Sequence, residues 1–509
     1  MKRPIQTMLG LACGAVLLYL LPLTGVSTQY EALLERQVQY RYIDEALSRP
    51  EQLLQPIRWE PETRPLVREI NDTDRRVLER RLGDAWVSFA LAQETGETAM
   101  LADWFGGSAQ TRAQRAADTA FREDTRMVVL RQTARPSFYH LDGSIMQLET
   151  DALTVRYAAD ADGLAFYELG VDHNRSTLVN RATGWHIASH ERMGWTPEAR
   201  DSAPRSVPLP LVGVNYYPAE TPWRLFWPNY DPATIGTDFD HVTALGGNAV
   251  RVFLPEEDFR PGSAALETNL AHLQDLLDQA EARGLHVIPT LFDLKHSYAT
   301  SNWNRDVQYL DAVLPVLATS PAVALIDLKN EPDLDFEAHG EAHVLAWLLS
   351  MTGIVRRAAP ETALTIGWAS AEAADALWYE LDAVSYHDYA PLEGTADRLS
   401  ELKARIGARP VLVTEIGVTA WDIAAGVPSS PNAQDRKLAQ RMAGLSDADG
   451  VMIWTLHDFP DPDPTAIGAS PWVRGLQSHF GLIAADGSPR PAANTVRTAF
   501  KSFQTGDPQ

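Results

Sequence analysis

The chain has one cysteine, Cys13, in 509 residues. That excludes an internal disulfide, a cysteine-built zinc site and a disulfide scaffold, and Cys13 lies in an apolar leader where a thiol nucleophile has no setting. Basic residues are also scarce: 44 Lys and Arg stand against 67 Asp and Glu, a formal charge of −23. A surface of that sign repels phosphate, so nucleic acid is not an expected partner. No Gly-x-Gly-x-x-Gly follows an apolar strand in the C-terminal part, which removes the main support for a dinucleotide-binding open sheet. Long uncharged runs are absent apart from one, Met8 to Val26, behind Lys2 and Arg3. As a helix, nineteen residues reach across about 28 Å, close to the thickness of a bilayer's hydrocarbon core. We expect residues 1–27 to be an uncut signal anchor or transmembrane helix. A cleaved signal peptide is the rival, with Gly25-Val26-Ser27 a passable cleavage site. In either case the bulk of the chain is expected on the exported, periplasmic side, anchored to the membrane or secreted after cleavage.

What is present falls into three further segments. Residues 28–64 have helix formers at Tyr30-Glu-Ala-Leu-Leu-Glu and then Pro50, Pro56 and Pro61, the composition of a linker. Residues 65–200 predict a small α+β domain. Asp74 is placed to cap a helix whose Leu78, Leu82, Trp86 and Phe89 share a face and which ends near Gly96. After a polar stretch come strand-like runs, with hairpins around Asp142-Gly143 and Ala182-Thr183-Gly184. Helices first and an antiparallel sheet after resemble the nuclear transport factor 2-like fold. His140, His173, His186 and His190 lie on or beside these strands and are expected to be sheet-surface or core histidines, not metal ligands.

From about residue 205 to 509 the pattern becomes strand–helix alternation. Eight apolar strands are expected at 211–218, 247–254, 285–292, 323–330, 363–368, 383–389, 410–415 and 450–455, with helices between them, one of these at Ala371–Glu380. Eight such units in about 300 residues predict an α/β fold, a (β/α)8 TIM barrel. Chemistry in this fold sits where strands end at the C-terminal rim. The fourth strand, Leu325-Ile-Asp-Leu-Lys, stops at Asn330-Glu331-Pro332, because Pro332 lacks an N–H and restricts the residue before it. The seventh ends at Glu415, which could alternatively serve as a structural partner of Arg251. Strands four and seven face each other across the mouth. Two rim carboxylates are what glycoside hydrolysis needs: a proton donor for the leaving oxygen and an ionised group for the anomeric carbon.

With those positions in hand, residues 211–504 resemble the clan A glycoside hydrolases, most nearly the family 5 cellulases and mannanases. The resemblance implies catalytic roles for Glu331 as acid/base and Glu415 as nucleophile. It implies that Arg251 in Val250-Arg-Val braces the nucleophile and that Asn330 binds the sugar's 2-hydroxyl. His387 and Tyr389 match the strand-six pair, and Trp454 the tryptophan that floors the subsite at the cut. The family's frequent strand-three histidine has no clear counterpart; Asp293 or His296 can stand in. The expected activity is retaining hydrolysis of a β-linked polysaccharide of glucan or mannan type, with the charge of Glu415 raising the pKa of Glu331. Neither cofactor nor metal is required. Aromatic platforms for sugar faces are expected among Tyr216, Tyr217, Trp223, Phe226, Trp227, Trp303, Trp368, Trp421, Trp454 and Trp472. Asp458, Asp461 and Asp463 are expected to be a solvated loop. Alternatives are a transglycosylase, or a non-catalytic glycan-binding protein beside an exopolysaccharide synthesis machinery. The partners are then an oligo- or polysaccharide and the membrane.

Overall fold

The computed structural model describes residues 57–506 apart from 63, 162, 200–202 and 296. The expected anchor at 1–27 and most of the expected linker lie outside these residues. Among the described residues no helix is long and apolar enough to cross a membrane.

The linker's last residues are not linker. Ile57–Trp59 forms strand β1, which pairs in parallel with β2 (Thr125–Tyr139), Ile57 opposite Gln132. Helix α1 (Asp72–Thr95) is capped by Asn71, whose side chain accepts from Asp74 N–H, three residues before the expected cap. It stops at Gly96 in the left-handed conformation, a position where glycine's lack of Cβ avoids strain. The polar stretch after it is a second helix, α2 (Gly107–Glu123), which buries only small side chains, Ala109, Ala117 and Ala120.

Four long antiparallel strands complete the sheet in the order β1-β2-β3-β4-β5, with β3 at Ile145–Asp160, β4 at Gly163–Arg181 and β5 at Gly184–Pro197. One sheet face meets α1 and α2 through Leu78, Leu82, Phe89, Leu148, Leu178 and Ile187. On the other face Val128, Leu130, Leu153, Val155 and Tyr157 merge into the core of the barrel. Burial on both faces explains the unbroken apolar run Met127-Val-Val-Leu, while Leu153-Thr-Val-Arg-Tyr alternates and sends Leu153, Val155 and Tyr157 to the barrel side.

The barrel closes. Its strands are β6 (Leu211–Asn215), β7 (Ala249–Phe253), β8 (His286–Phe292), β9 (Ile326–Asn330), β10 (Leu364–Trp368), β11 (Val384–His387), β12 (Val411–Ile416) and β13 (Gly450–Ile453). All neighbours pair in parallel and β13 returns to β6, Val451 opposite Val212. Closure brings backbones together tightly. A Cβ on Gly213 would sit 1.7 Å from the Ala249 carbonyl oxygen, so only glycine fits there.

The outer helices are α3 (Pro232–Ala244), α4 (Leu266–Glu281), α5 (Trp303–Leu317), α6 (Glu341–Ala358), α7 (Thr395–Ile406), α8 (Pro431–Gly444) and α9 (Pro491–Thr505). Asp231 and Ser430 cap α3 and α8 ahead of a proline at the first helical position. Ala371–Glu380 is not the helix its composition suggests. It runs as turns that end in one 3-10 turn at Trp378–Glu380.

The small domain docks on α5 and α6. The Tyr157 ring stacks on Trp303 at 5.6 Å with an interplanar angle of 5°, and its hydroxyl meets His343 Nδ1 at 3.0 Å. Tyr167 and Ser350 are hydrogen-bonded, and Arg131 pairs with Asp311 and Arg357 with Glu198 across the same contact.

Candidate active site

Arg251 lies in the middle of β7, points into the barrel and is fully buried. A guanidinium has five N–H donors and no acceptor, so burial requires a hydrogen bond for each of the five. All are supplied. Nε and Nη2 donate to Asp327 Oδ2 at 2.9 and 2.7 Å. Nη1 donates to Asn215 Oδ1 at 2.9 Å and to Glu415 Oε1 at 2.6 Å. The remaining Nη2 proton goes to Asn330 Oδ1 at 2.8 Å. One cation therefore ties together the ends of β6, β9 and β12. Asp327 is itself filled by the Gly367 N–H at 2.8 Å and the Thr290 hydroxyl at 3.0 Å.

Glu415 is buried at the end of β12. Its second oxygen accepts from the Tyr389 hydroxyl at 3.1 Å. Glu331 ends β9: its N–H still donates to Gly367 O at 2.7 Å, and the chain then turns away through Pro332. Its backbone is left-handed, φ 49° and ψ 53°. Pro332 disfavours right-handed helix for the residue before it, and a left-handed non-glycine residue stores about 1–3 kcal/mol. The strain points the carboxylate into the mouth, where Glu331 Oε1 meets His387 Nδ1 at 2.8 Å. His387 Nε2 lies 3.8 Å from Glu415 Oε1 and has no hydrogen-bond partner. Gly367 makes room beneath it, since a Cβ there would lie 3.2 Å from that nitrogen, 3.1 Å from Arg251 Nη2 and 3.0 Å from Asp327 Oδ2. An oxygen of Glu331, a nitrogen of His387 and an oxygen of Glu415 all fall within 4.8 Å of one another.

The electrostatics correct one expectation. Burial pushes the Glu331 carboxyl up, but the hydrogen bond from His387 and the charges of His387, Arg251 and Lys329 outweigh it, and the net direction is down. Burial pushes His387 down, while Glu415 and the bond to Glu331 outweigh it, and the net direction is up. The proton of the Glu331–His387 pair is drawn to the imidazole.

All seven expected site residues converge here except that Trp454, at the end of β13, stands to one side in an aromatic wall. Its ring is 6.4 Å from Tyr217, 6.1 Å from Phe253 and 6.3 Å from Trp223, and Nε1 donates to Gln477 at 3.2 Å. Asp293 does come to the site, accepting from Asn330 Nδ2 at 3.2 Å, while His296 lies outside the described residues. Most of the expected platforms are core. Tyr216, Phe226, Trp227, Trp303 and Trp368 are completely buried, whereas Trp472 is half exposed and sits edge-on to Trp421.

Asp327 and Asn215 were not anticipated. The signal was available, because a charged or amide residue inside an apolar strand must have a partner. The acidic loop is dispersed: Asp458 forms a two-pronged pair with Arg490, Asp461 pairs with Arg474, and Asp463 caps a helical turn. Glu331, His387 and Glu415 are the one set among the described residues spaced to take a metal ion. Arg251, 2.6 Å from Glu415, already occupies that carboxylate and repels a cation.

In fold, the chain is similar to family 5 glycoside hydrolases. A GH5_18 enzyme from Streptomyces cattleya, solved with GlcNAc, is 22% identical, with 60% of this chain and 82% of that one covered and a TM-score of 0.48. The exo-β-1,4-mannosidase Op5Man5 from Opitutaceae bacterium strain TAV5 is 23% identical, covering 60% of this chain and 61% of that one, with a TM-score of 0.49. A β-glucuronidase from Ruminococcus gnavus is 15% identical over 74% of this chain and 68% of that one, with a TM-score of 0.44. No family model and no curated protein matches the sequence.

Proposed function

We propose that the chain is a retaining glycoside hydrolase acting on a β-linked glucan- or mannan-type saccharide. The observation that carries this is the spacing of Glu331 and Glu415, oxygens within 4.8 Å across the barrel mouth. Retaining enzymes hold their carboxyls about 5–5.5 Å apart, and inverting ones about 6.5–9.5 Å to admit a water.

The supporting groups divide the labour. Glu415 accepts from Arg251 and Tyr389, which fix its direction. It attacks the anomeric carbon and forms a glycosyl–enzyme ester as the glycosidic C–O bond breaks. The leaving oxygen takes a proton from Glu331, to which His387 Nδ1 passes the proton it shares across their hydrogen bond. Glu331, now a carboxylate, removes a proton from water, whose oxygen displaces Glu415 and restores the starting configuration. Asn330 uses one amide N–H on Asp293, so the other is free to hold a substrate hydroxyl. We place this reaction on the exported side of a membrane, with the uncharged run Met8–Val26 as the anchor.

The test is hydrolysis of aryl β-glucosides and β-mannosides, with the product anomer followed by proton NMR. The β-anomer forms first under this mechanism. Glu331→Ala supplied with azide should yield the β-glycosyl azide; an α-azide, or none with a fully active parent, sinks the double-displacement scheme.

A further inference from the structure

Beside the catalytic centre a cavity of about 540 Å³ opens between the two domains. Its size is within the about 300–1,000 Å³ of ligand sites. The barrel lines it from the loops after β6, β7, β8 and β9 and from the start of α6, and the small domain lines it with Leu91, Glu94, Thr95, Arg126 and Tyr157. Asp293 belongs both to this lining and to the catalytic network, through its bond to Asn330, one residue from Glu331. Asp293 thereby links the wall of the cavity to the catalytic network.

The walls are fixed by bonds from both domains. Glu94 of α1 accepts from the Thr300 N–H at 2.5 Å and from its hydroxyl at 2.6 Å, pinning the loop after β8. From the barrel side the same loop is held by Lys295, paired with buried Asp306 at 2.8 Å, and by the Tyr298 hydroxyl on Asp335 at 2.6 Å. By formal count the lining is balanced, five Lys and Arg against five Asp and Glu, and burial pushes the carboxyls of Glu94, Asp293 and Asp306 up toward the neutral form. Several already pair, Arg224 with Glu257 and Arg260 with Glu256 at 3.3 Å. Such a lining favours neither an anion nor a cation. It offers forked donors and paired acceptors at close quarters, which suit the adjacent hydroxyls of a neutral sugar.

We propose that this cavity is a saccharide subsite built jointly by the two domains, taking an uncharged hexose unit of the substrate beyond the one at the cleavage point. The substrate class rests on the glycosidase reading above. The small domain is on this account part of the substrate site, and chain length is sensed through it.

The experiment uses the full chain and two variants, one from each domain. Thr95→Trp places a bulky ring at the exposed C-terminal end of α1, and Arg224→Ala removes a forked donor from the barrel side. The kcat/KM for β-1,4-mannotetraose and cellotetraose is divided by that for the matching aryl β-monoglycoside. Tetraose affinity is measured separately by calorimetry in the Glu331→Gln background. We expect each variant to lower both the ratio and the affinity at least tenfold. If the parent hydrolyses the aryl glycosides but ratio and affinity are the same in all three proteins, the subsite is refuted and the glycosidase stands. If tetraose binds, weakens tenfold in the variants and is never cleaved, the subsite stands and hydrolysis falls. A parent that neither binds nor cleaves a tetraose overturns the subsite.

Discussion

Arg251 gives the sharpest test of how the site is held. Arg251→Met removes a cation that is fully buried between Asp327, also fully buried, and Glu415. Breaking a buried pair from one side strands its partner's charge and costs about 3–5 kcal/mol. Unfolding entropy of about 2.1 cal/mol/K per residue over a barrel of about 300 residues is about 0.6 kcal/mol/K, so the barrel's melting temperature should fall by about 5–8 °C. Calorimetry at neutral pH measures this. Adding Asp327→Leu removes the stranded charge as well, so the double variant should melt above Arg251→Met alone, a coupling that a double-mutant cycle isolates. Activity should not return with stability, because Glu415 and Asn330 still lack their brace; a misplacement near 1 Å costs about 10²-fold in rate. Arg251→Lys should behave much like the methionine variant, since an ammonium has three donors and cannot make the five bonds that Arg251 makes to four residues. A drop below about 1 °C for Arg251→Met, or a double variant less stable than the single, would refute the reasoning.

Three further outcomes follow from the same geometry. Glu415→Gln keeps an acceptor for Arg251 but removes the proposed nucleophile, and turnover of an aryl β-glycoside should drop at least about 10⁴-fold; near-parent rates would end the assignment. His387 is raised and Glu331 lowered, so the pair's last proton is lost as pH rises through the His387 value; the Glu331 contribution to stability is present above its unfolded pKa and lost as pH falls through its lowered folded one. In His387→Gln that proton must sit on Glu331, and the alkaline limb of the kcat/KM profile should move to lower pH; an unmoved limb contradicts the shared proton. Tyr157→Ala removes a buried ring stacked on Trp303 and should cost about 3–5 kcal/mol, separating the melting of the small domain from that of the barrel; one unchanged transition would show that the stack does not couple them.

The barrel was readable because each of its strands is short, apolar and ended by a turn or a functional residue. Val411-Leu-Val-Thr-Glu and Val250-Arg-Val announce both a strand and the polar group it delivers. What stayed hidden depends on partners far away in the chain. Asp327 looks like one charge in an apolar run until Arg251, 76 residues earlier, is seen beside it. The aromatic residues after β6 look like sugar platforms, yet short helical turns at Trp223–Leu225 and Trp227–Asn229 fold most of them inward. Helix α2 carries no apolar stripe in its sequence because its buried side is alanine. Ile57-Arg-Trp59 carries no periodicity in three residues and becomes a strand only because β2 offers it an edge. The Glu331 shift runs opposite to what repulsion from Glu415 predicts, because the His387 imidazole hydrogen-bonds Glu331 and outweighs burial.

The left-handed backbone at Glu331 has a consequence for how this barrel can change. Glycine is the residue that relaxes such a conformation, so Glu331→Gly should gain on the order of 1 kcal/mol of backbone relief as it loses the carboxylate. The chemistry and the resting fold pull this one position in opposite directions. Selection for thermal stability alone would erode the active site here, and a lineage that lost its substrate should show the loss first as a glycine between Asn330 and Pro332.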